Sequence, residues 1–359
     1  MSPPLPLLVT LLREPARMAA LSLAEWDLAL RQALAANLTA TLYCLAEEAG
    51  VLAQVPPQAR RHLEWTIPLA RRHADGVRWE VQRIGAALAR SGTPLILLKG
   101  AAYAMAGLAA GRGRLFSDID ILVPREAIGE VESDLMLGGW MSGHHDAYDQ
   151  RYYRVWMHEI PPMQHAQRGS VIDVHHTILP LTARVRPDPD KLRAAARAVR
   201  GGCAMVLADE DMVLHSATHL FYDGEFDKGL RDLFDLHRLL GELGGERLWQ
   251  ALPARARELQ LERPLFYALR YCSGLLGTPV PEHVLAALAP AGPQGRMLAL
   301  MDALFGRALL PMHASCDTRF TALARFGLYV RGNWLRMPPF LLARHLFHKA
   351  FISPREPLR

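Results

Sequence analysis

Four cysteines are spread over 359 residues, Cys44, Cys203, Cys272 and Cys316, and no two form a CxxC pair. That scarcity excludes a disulfide scaffold and a zinc knuckle, and it suits a reducing compartment, so a cytoplasmic protein is expected. No apolar stretch reaches the roughly 18 residues that a membrane span needs. The opening Met1-Ser2-Pro3-Pro4 has no positive segment ahead of an apolar run, so no signal peptide is read. Internal repeats are missing, as are the biases of collagen, coiled coils and disordered chains. Acidic excess is missing too: 41 Lys and Arg face 36 Asp and Glu, a net charge of +5 in which arginine far outweighs lysine. Such a balance suits an anionic substrate, nucleic acid or an anionic membrane, and ordinary surface arginine also produces it. What is present is a 50% hydrophobic composition, enough for a large core in two or three domains.

The pattern runs helical, then mixed, then helical. Residues 1–75 are rich in Ala, Leu, Glu and Arg and read as an N-terminal helical region broken at Pro56-Pro57, with a helix from about Gln58 to His73. A further helix is expected from Gly76 to Arg90, ending in the turn Ser91-Gly92-Thr93-Pro94. Leu95-Ile96-Leu97-Leu98 reads as a buried strand, Ala101–Ala110 as a short helix and Ser117–Val123 as a second strand. Pro124 opens a helix. Residues 150–158, 161–167 and Val171–Ile178 read as strands, and the chain turns helical again at Asp209, an N-cap candidate. The expected fold class is α/β in the α+β sense: a small mixed sheet with flanking helices in residues 76–182, between an N-terminal helical region and a C-terminal helical domain, 183–359.

Ser117-Asp118-Ile119-Asp120-Ile121-Leu122-Val123 is the most informative stretch. On a strand, residues two apart share a face, so Asp118 and Asp120 point one way, ~6.6 Å apart along the backbone, and the β-branched residues point the other. Two carboxylates on an apolar strand repel one another and lose hydration unless a cation lies between them. Magnesium is the natural cation, hard and oxygen-seeking. Two other Asp-x-Asp sets, Asp188-Pro189-Asp190 and Asp209-Glu210-Asp211, read as solvated turn or cap residues. A third carboxylate, Asp173, lies in Val171-Ile172-Asp173-Val174-His175; three such groups can hold two magnesium ions. The plainer reading of that segment is a half-exposed strand with Asp173 and His175 on its wet face.

Taken in order, Lys99-Gly100-Ala101, a short helix, Arg114, Asp118-Ile119-Asp120-Ile121 and Ile172-Asp173-Val174-His175 resemble the DNA polymerase β-type nucleotidyltransferase superfamily. They resemble most its bacterial group with a Lys-Gly turn and an Asp-x-His strand. The resemblance covers about residues 80–240. It implies Asp118, Asp120 and Asp173 as catalytic, metal-binding carboxylates for Mg2+, with Mn2+ as a substitute, and a nucleoside triphosphate as substrate. In the superfamily a glycine-serine pair holds the triphosphate. Gly100-Ala101 stands there without the hydroxyl, leaving Lys99, Arg114 or Ser117 to meet phosphate. His175 is expected beside Asp173, orienting it.

Other histidines carry weaker signals. His215 and His219 share a helix face, but no HExxH glutamate accompanies them. His144-His145 reads as loop surface. The resemblance extends to the helices after the sheet, which should cover the nucleotide or acceptor, with His219 or Arg231 lining the cleft. The last 35 residues mix aromatics with arginines and carry one acid, Glu356. They read as a docked terminal helix or as a basic surface for an anionic membrane or a protein partner. Two functions stay open: an enzyme transferring a nucleoside monophosphate to a small molecule, sugar phosphate, protein side chain or RNA end, and a nucleotide-binding regulator that has lost turnover. No separate RNA-binding module is read.

Overall fold

The computed structural model describes residues 5–143 and 147–351; His144-His145 lies outside the described residues. Among the described residues seven strands build one mixed sheet. They are β1 (Leu95–Leu97), β2 (Asp118–Leu122), β3 (Trp140–Ser142), β4 (Met163–His165), β5 (Val171–His175), β6 (Arg197–Ala198) and β7 (Ala204–Val206). Their order is β3-β4-β5-β2-β1-β7-β6. β2 lies at the centre, antiparallel to β1 and parallel to β5, while β1 is parallel to β7. Helices precede, flank and follow the sheet, an α+β arrangement. β6 and β7 lie within residues 183–359, which the sequence pattern reads as a helical domain, so the sheet extends past the expected boundary at residue 182.

Burial explains the centre. Ile119, Ile121 and Leu122 on β2 and Leu95, Ile96 and Leu97 on β1 are all buried, as expected for strands covered on both faces. Two expectations need correction. The helix break falls at Trp65 rather than near residue 75: Pro57–Glu64 is followed by one helix, Thr66–Leu88, that runs through Gly76. Pro68 sits in its first turn, where the missing N–H costs nothing, and Val77, Val81, Ile84 and Leu88 bury one continuous face. Residues 150–158 are not a strand. Ala147–Arg151 is helical and Tyr152–Trp156 forms a π-helical turn. The rings of Tyr148 and Tyr152 each pack on Trp156 at 6.0 Å, a helical spacing that overrides the β preference of aromatics. Only the end of that stretch behaves as extended chain: His176 N–H donates to the His158 carbonyl and Ile160 N–H to that of Val174.

The helices from the two ends of the chain meet. Buried Gln32 accepts from Leu8 N–H at 2.8 Å and donates to Ser315 Oγ at 2.8 Å. The C-terminal stretch forms helices Thr321–Arg336 and Pro339–Phe351, parted at Met337-Pro338. The first of them docks: Arg331 Nη1 donates to the Phe221 carbonyl, and Arg336 pairs with Asp223. Its outer face leaves Leu323, Phe326, Val330 and Trp334 exposed. Among the described residues no helix is long and apolar enough to cross a membrane.

Candidate active site

β2 and β5 run in direct register, with Asp120 opposite Asp173 and Asp118 opposite Val171. Paired residues on neighbouring strands project to the same side, about 4.8 Å apart. Asp118 lies at the exposed end of β2 and accepts from Ser117 Oγ at 2.9 Å, whereas Asp120 is buried. Two cationic or polar groups converge on one oxygen of Asp120: Lys99 Nζ at 3.0 Å and His175 Nε2 at 2.9 Å. Burial by itself would raise the Asp120 carboxyl, but the Lys99 charge and the His175 hydrogen bond outweigh it and hold the group well below the usual carboxylate range. Asp173 goes the other way. Burial, with the charges of Asp120 and Glu159, pushes it up to about 7. Its Oδ1 is buried without a hydrogen-bond partner among the described residues. An orphaned carboxylate oxygen with two more carboxylates on the same face is the kind of hard-oxygen set that magnesium takes, although among the described residues the three aspartates do not bring one oxygen each within 4.8 Å of one another.

A cleft of about 340 Å³ opens over β2, lined by Lys99, Gly100, Arg114, Ser117, Asp118 and Asp120 on one wall. Helix Asp209–Asp223 and helix Gly229–Leu243 supply the other, with His219, Lys228, Arg231 and Asp232. Asp173 and His175 are not among the lining residues, and His175 bonds Asp120 rather than the Asp173 that it was expected to orient. Lys99 opens helix Lys99–Ala106 with φ of 46°, a left-handed value that is uncommon outside glycine and is often retained at working sites. Leu98, before it, offers no side-chain cap, so the first N–H groups of this helix have no side-chain acceptor. Gly100 permits a close approach: a Cβ there would stand 2.7 Å from Arg114 Nε and 3.1 Å from the Phe116 ring, so the Arg114 side chain would have to shift. Arg114 is thereby pressed between Gly100 and the rings of Tyr103 and Phe116 and pairs with Asp235. Ala101 is buried, and its side chain belongs to the core rather than to the cleft.

Sequence reasoning did not find Asp235, Tyr103 or Glu159. Tyr103 Oη meets Ser216 Oγ at 2.5 Å, fixing the cleft floor to the following helix. His219 and Arg231 do line the cleft. Burial and the nearby Lys99 charge lower His219 to about 4, so it is neutral at ordinary pH. His215 is buried on the same helix. The other Asp-x-Asp sets divide. Asp188 caps helix Pro189–Ala195 by accepting from Asp190 N–H. Asp209 is not an N-cap: Ala208 holds that position, and Asp209 pairs with Arg197 in the first turn. Asp211 is no solvated residue; it is fully buried and takes a two-pronged contact from Arg255 at 2.7 and 2.8 Å. That bidentate pairing is what permits its burial.

Residues 22–277 match a protein family described as "Uncharacterised nucleotidyltransferase". No curated protein and no solved structure matches the chain.

Proposed function

We propose that this chain, a member of that family of uncharacterised nucleotidyltransferases, moves a nucleoside monophosphate from a nucleoside triphosphate to an acceptor and releases pyrophosphate. The observation that carries the reading is the β2–β5 register, which sets Asp120 beside Asp173 with Asp118 on the same face. Asp118, Asp120 and Asp173 would hold Mg2+, or Mn2+ in its place, and the bound ion would supply charge neutralisation at the attacking and leaving oxygens. The protein's own groups bind and orient. Lys99 places a positive charge at the uncapped helix start, where free N–H groups and the helix dipole favour phosphate. Arg114 and Arg231 add cations along the cleft, and Gly100 lets substrate and Arg114 approach the backbone closely. The buried floor excludes water and strengthens each of these contacts.

Ala101, in the place of the superfamily's serine, favours a second reading, a nucleotide-binding protein without turnover. One experiment separates the two. Full-length protein is incubated with nucleoside triphosphates labelled at the α-phosphate, Mg2+ and cell extract, and transfer of label to extract components is followed. Wild type is expected to transfer label, and Asp120→Asn to lose at least about a hundredfold of the rate while still folding. Asp188→Asn, at a helix cap, serves as the unaffected control. Nucleotide binding with no transfer supports the second reading, and equal loss in both variants removes the carboxylate assignment.

A further inference from the structure

His175 uses only one of its ring nitrogens at Asp120. The other, Nδ1, lies on the opposite edge of the ring, 3.4 Å from Glu159 Oε2, and makes no hydrogen bond. His158 brings its Nε2 to 4.0 Å from the same glutamate oxygen, and the two imidazole rings stand 5.1 Å apart. One donor atom each from His158, Glu159 and His175 can be chosen so that all three lie within 4.8 Å of one another. The contact at 4.0 Å is too long for a hydrogen bond. Donor atoms at ~2.0–2.2 Å from one tetrahedral ion stand about 3.3–3.6 Å apart, so the His175–Glu159 pair at 3.4 Å already fits and the His158 ring would close in by a few tenths of an ångström or more. The backbone holds the set in place, since the His158–Ile160 segment pairs with the end of β5 through two hydrogen bonds. His175 is 3% exposed, so its unpartnered nitrogen is inaccessible to bulk water, while the Glu159 and His158 side chains, 19% and 20% exposed, leave a path for an ion.

We propose that His158, Glu159 and His175 form a binding site for a divalent transition-metal ion of the zinc class, distinct from the all-oxygen set of the three aspartates. Two imidazoles and one carboxylate select zinc over magnesium, and three protein ligands leave a fourth position for water. A metal-binding histidine characteristically donates its other ring N–H to a carboxylate, and here His175 has Asp120 on that side. An ion on Nδ1 therefore fixes the tautomer in which Nε2–H donates to Asp120. The site ties that aspartate to a second metal position through a single ring. This inference does not rest on nucleotidyl transfer.

The test is calorimetric titration of metal-free, full-length protein with Zn2+ in excess Mg2+, so that the aspartates are competed for by their own cation. One strong site per chain is expected. Zn2+ affinity should fall at least about tenfold in His158→Ala and in the near-isosteric Glu159→Gln, and should be unchanged in Asp118→Asn. Co2+ in place of Zn2+ should give the visible absorption of a low-symmetry nitrogen–oxygen site, and His158→Ala should lose it. Thermal melting of each variant checks folding, and Glu159→Gln decides if His158→Ala does not fold. No Zn2+ uptake by wild type overturns the proposal, as does uptake unchanged in both ligand variants or lost equally in Asp118→Asn. Failure of label transfer with Zn2+ binding intact counts only against the aspartate chemistry.

Discussion

Lys99 donates to Asp120 at 3.0 Å while opening a helix that has no side-chain cap, and these positions suggest different duties. As a partner of Asp120 it neutralises the carboxylate. As a phosphate contact it acts on the β- and γ-phosphates. Lys99→Ala is expected to weaken triphosphate binding more than monophosphate binding, and the difference should shrink in high salt, because a partly exposed charge is screened over ~10 Å at 0.1 M. Calorimetric titration of both nucleotides at low and high salt checks this, and an equal loss for the two assigns Lys99 to the carboxylate alone. At this scale the sequence was most legible where chemistry contradicts local pattern. Asp118 and Asp120 stood out because acids interrupt a buried apolar strand, and Asp173 because it repeats the anomaly in β5. Glu159 and His158 gave no such signal. Their link to His175 arises from pairing between an irregular segment and a strand end, which no spacing along the chain encodes.

Among the elements, helix Thr321–Arg336 crosses the C-terminal end of helix Asp209–Asp223 at two glycines. A Cβ on Gly332 would stand 2.7 Å from the Gly224 Cα and 2.8 Å from the Asp223 carbonyl oxygen. Backbone cannot give way as a side-chain tip can, so Gly332→Ala is expected to destabilise the fold by about 1–3 kcal/mol. Because Asp223, Glu225, Asp227 and Lys228 line the cleft, the same change should also weaken nucleotide binding. Gly306, inside helix Gly295–Ala308 with open space around its Cα, is the control: Gly306→Ala should raise stability by up to about 1 kcal/mol. Thermal melting of the two variants gives shifts of opposite sign if the crossing is as close as it stands. The helices themselves were readable from apolar spacing, and their crossings were not. The short strands β6 and β7, two and three residues long, carry too little pattern to be seen before β1 supplies a partner. The π-helical turn at Tyr152–Trp156 was misread because aromatic, β-branched content resembles a strand until the rings find one another.

Across the whole molecule, the N-terminal helices, the sheet and the C-terminal helices share one continuous core of buried side chains, and titratable groups packed against it are expected to make stability depend on pH. His237 is a clear case outside the cleft. Its Nδ1 meets Thr278 Oγ1 at 2.8 Å, joining helix Gly229–Leu243 to the turn after helix Glu262–Leu276. Burial, assisted by the Arg238 charge, lowers its pKa from 6.5 to about 4. The folded state therefore prefers the neutral ring, while the unfolded chain takes up a proton below its own higher pKa. The resulting stabilisation is complete above pH 6.5 and is lost as pH falls through the window down to about 4. Denaturant unfolding near pH 7.5 and near pH 5 is expected to show a marked loss of stability for wild type. His237→Gln keeps a hydrogen-bonding side chain and cannot titrate, so it should be less stable than wild type at the higher pH and lose less on acidification. An identical acid-induced loss in wild type and variant would show that the cost of charging this half-buried ring is absorbed elsewhere, and would shift the acid sensitivity to the buried histidines of the core, such as His215.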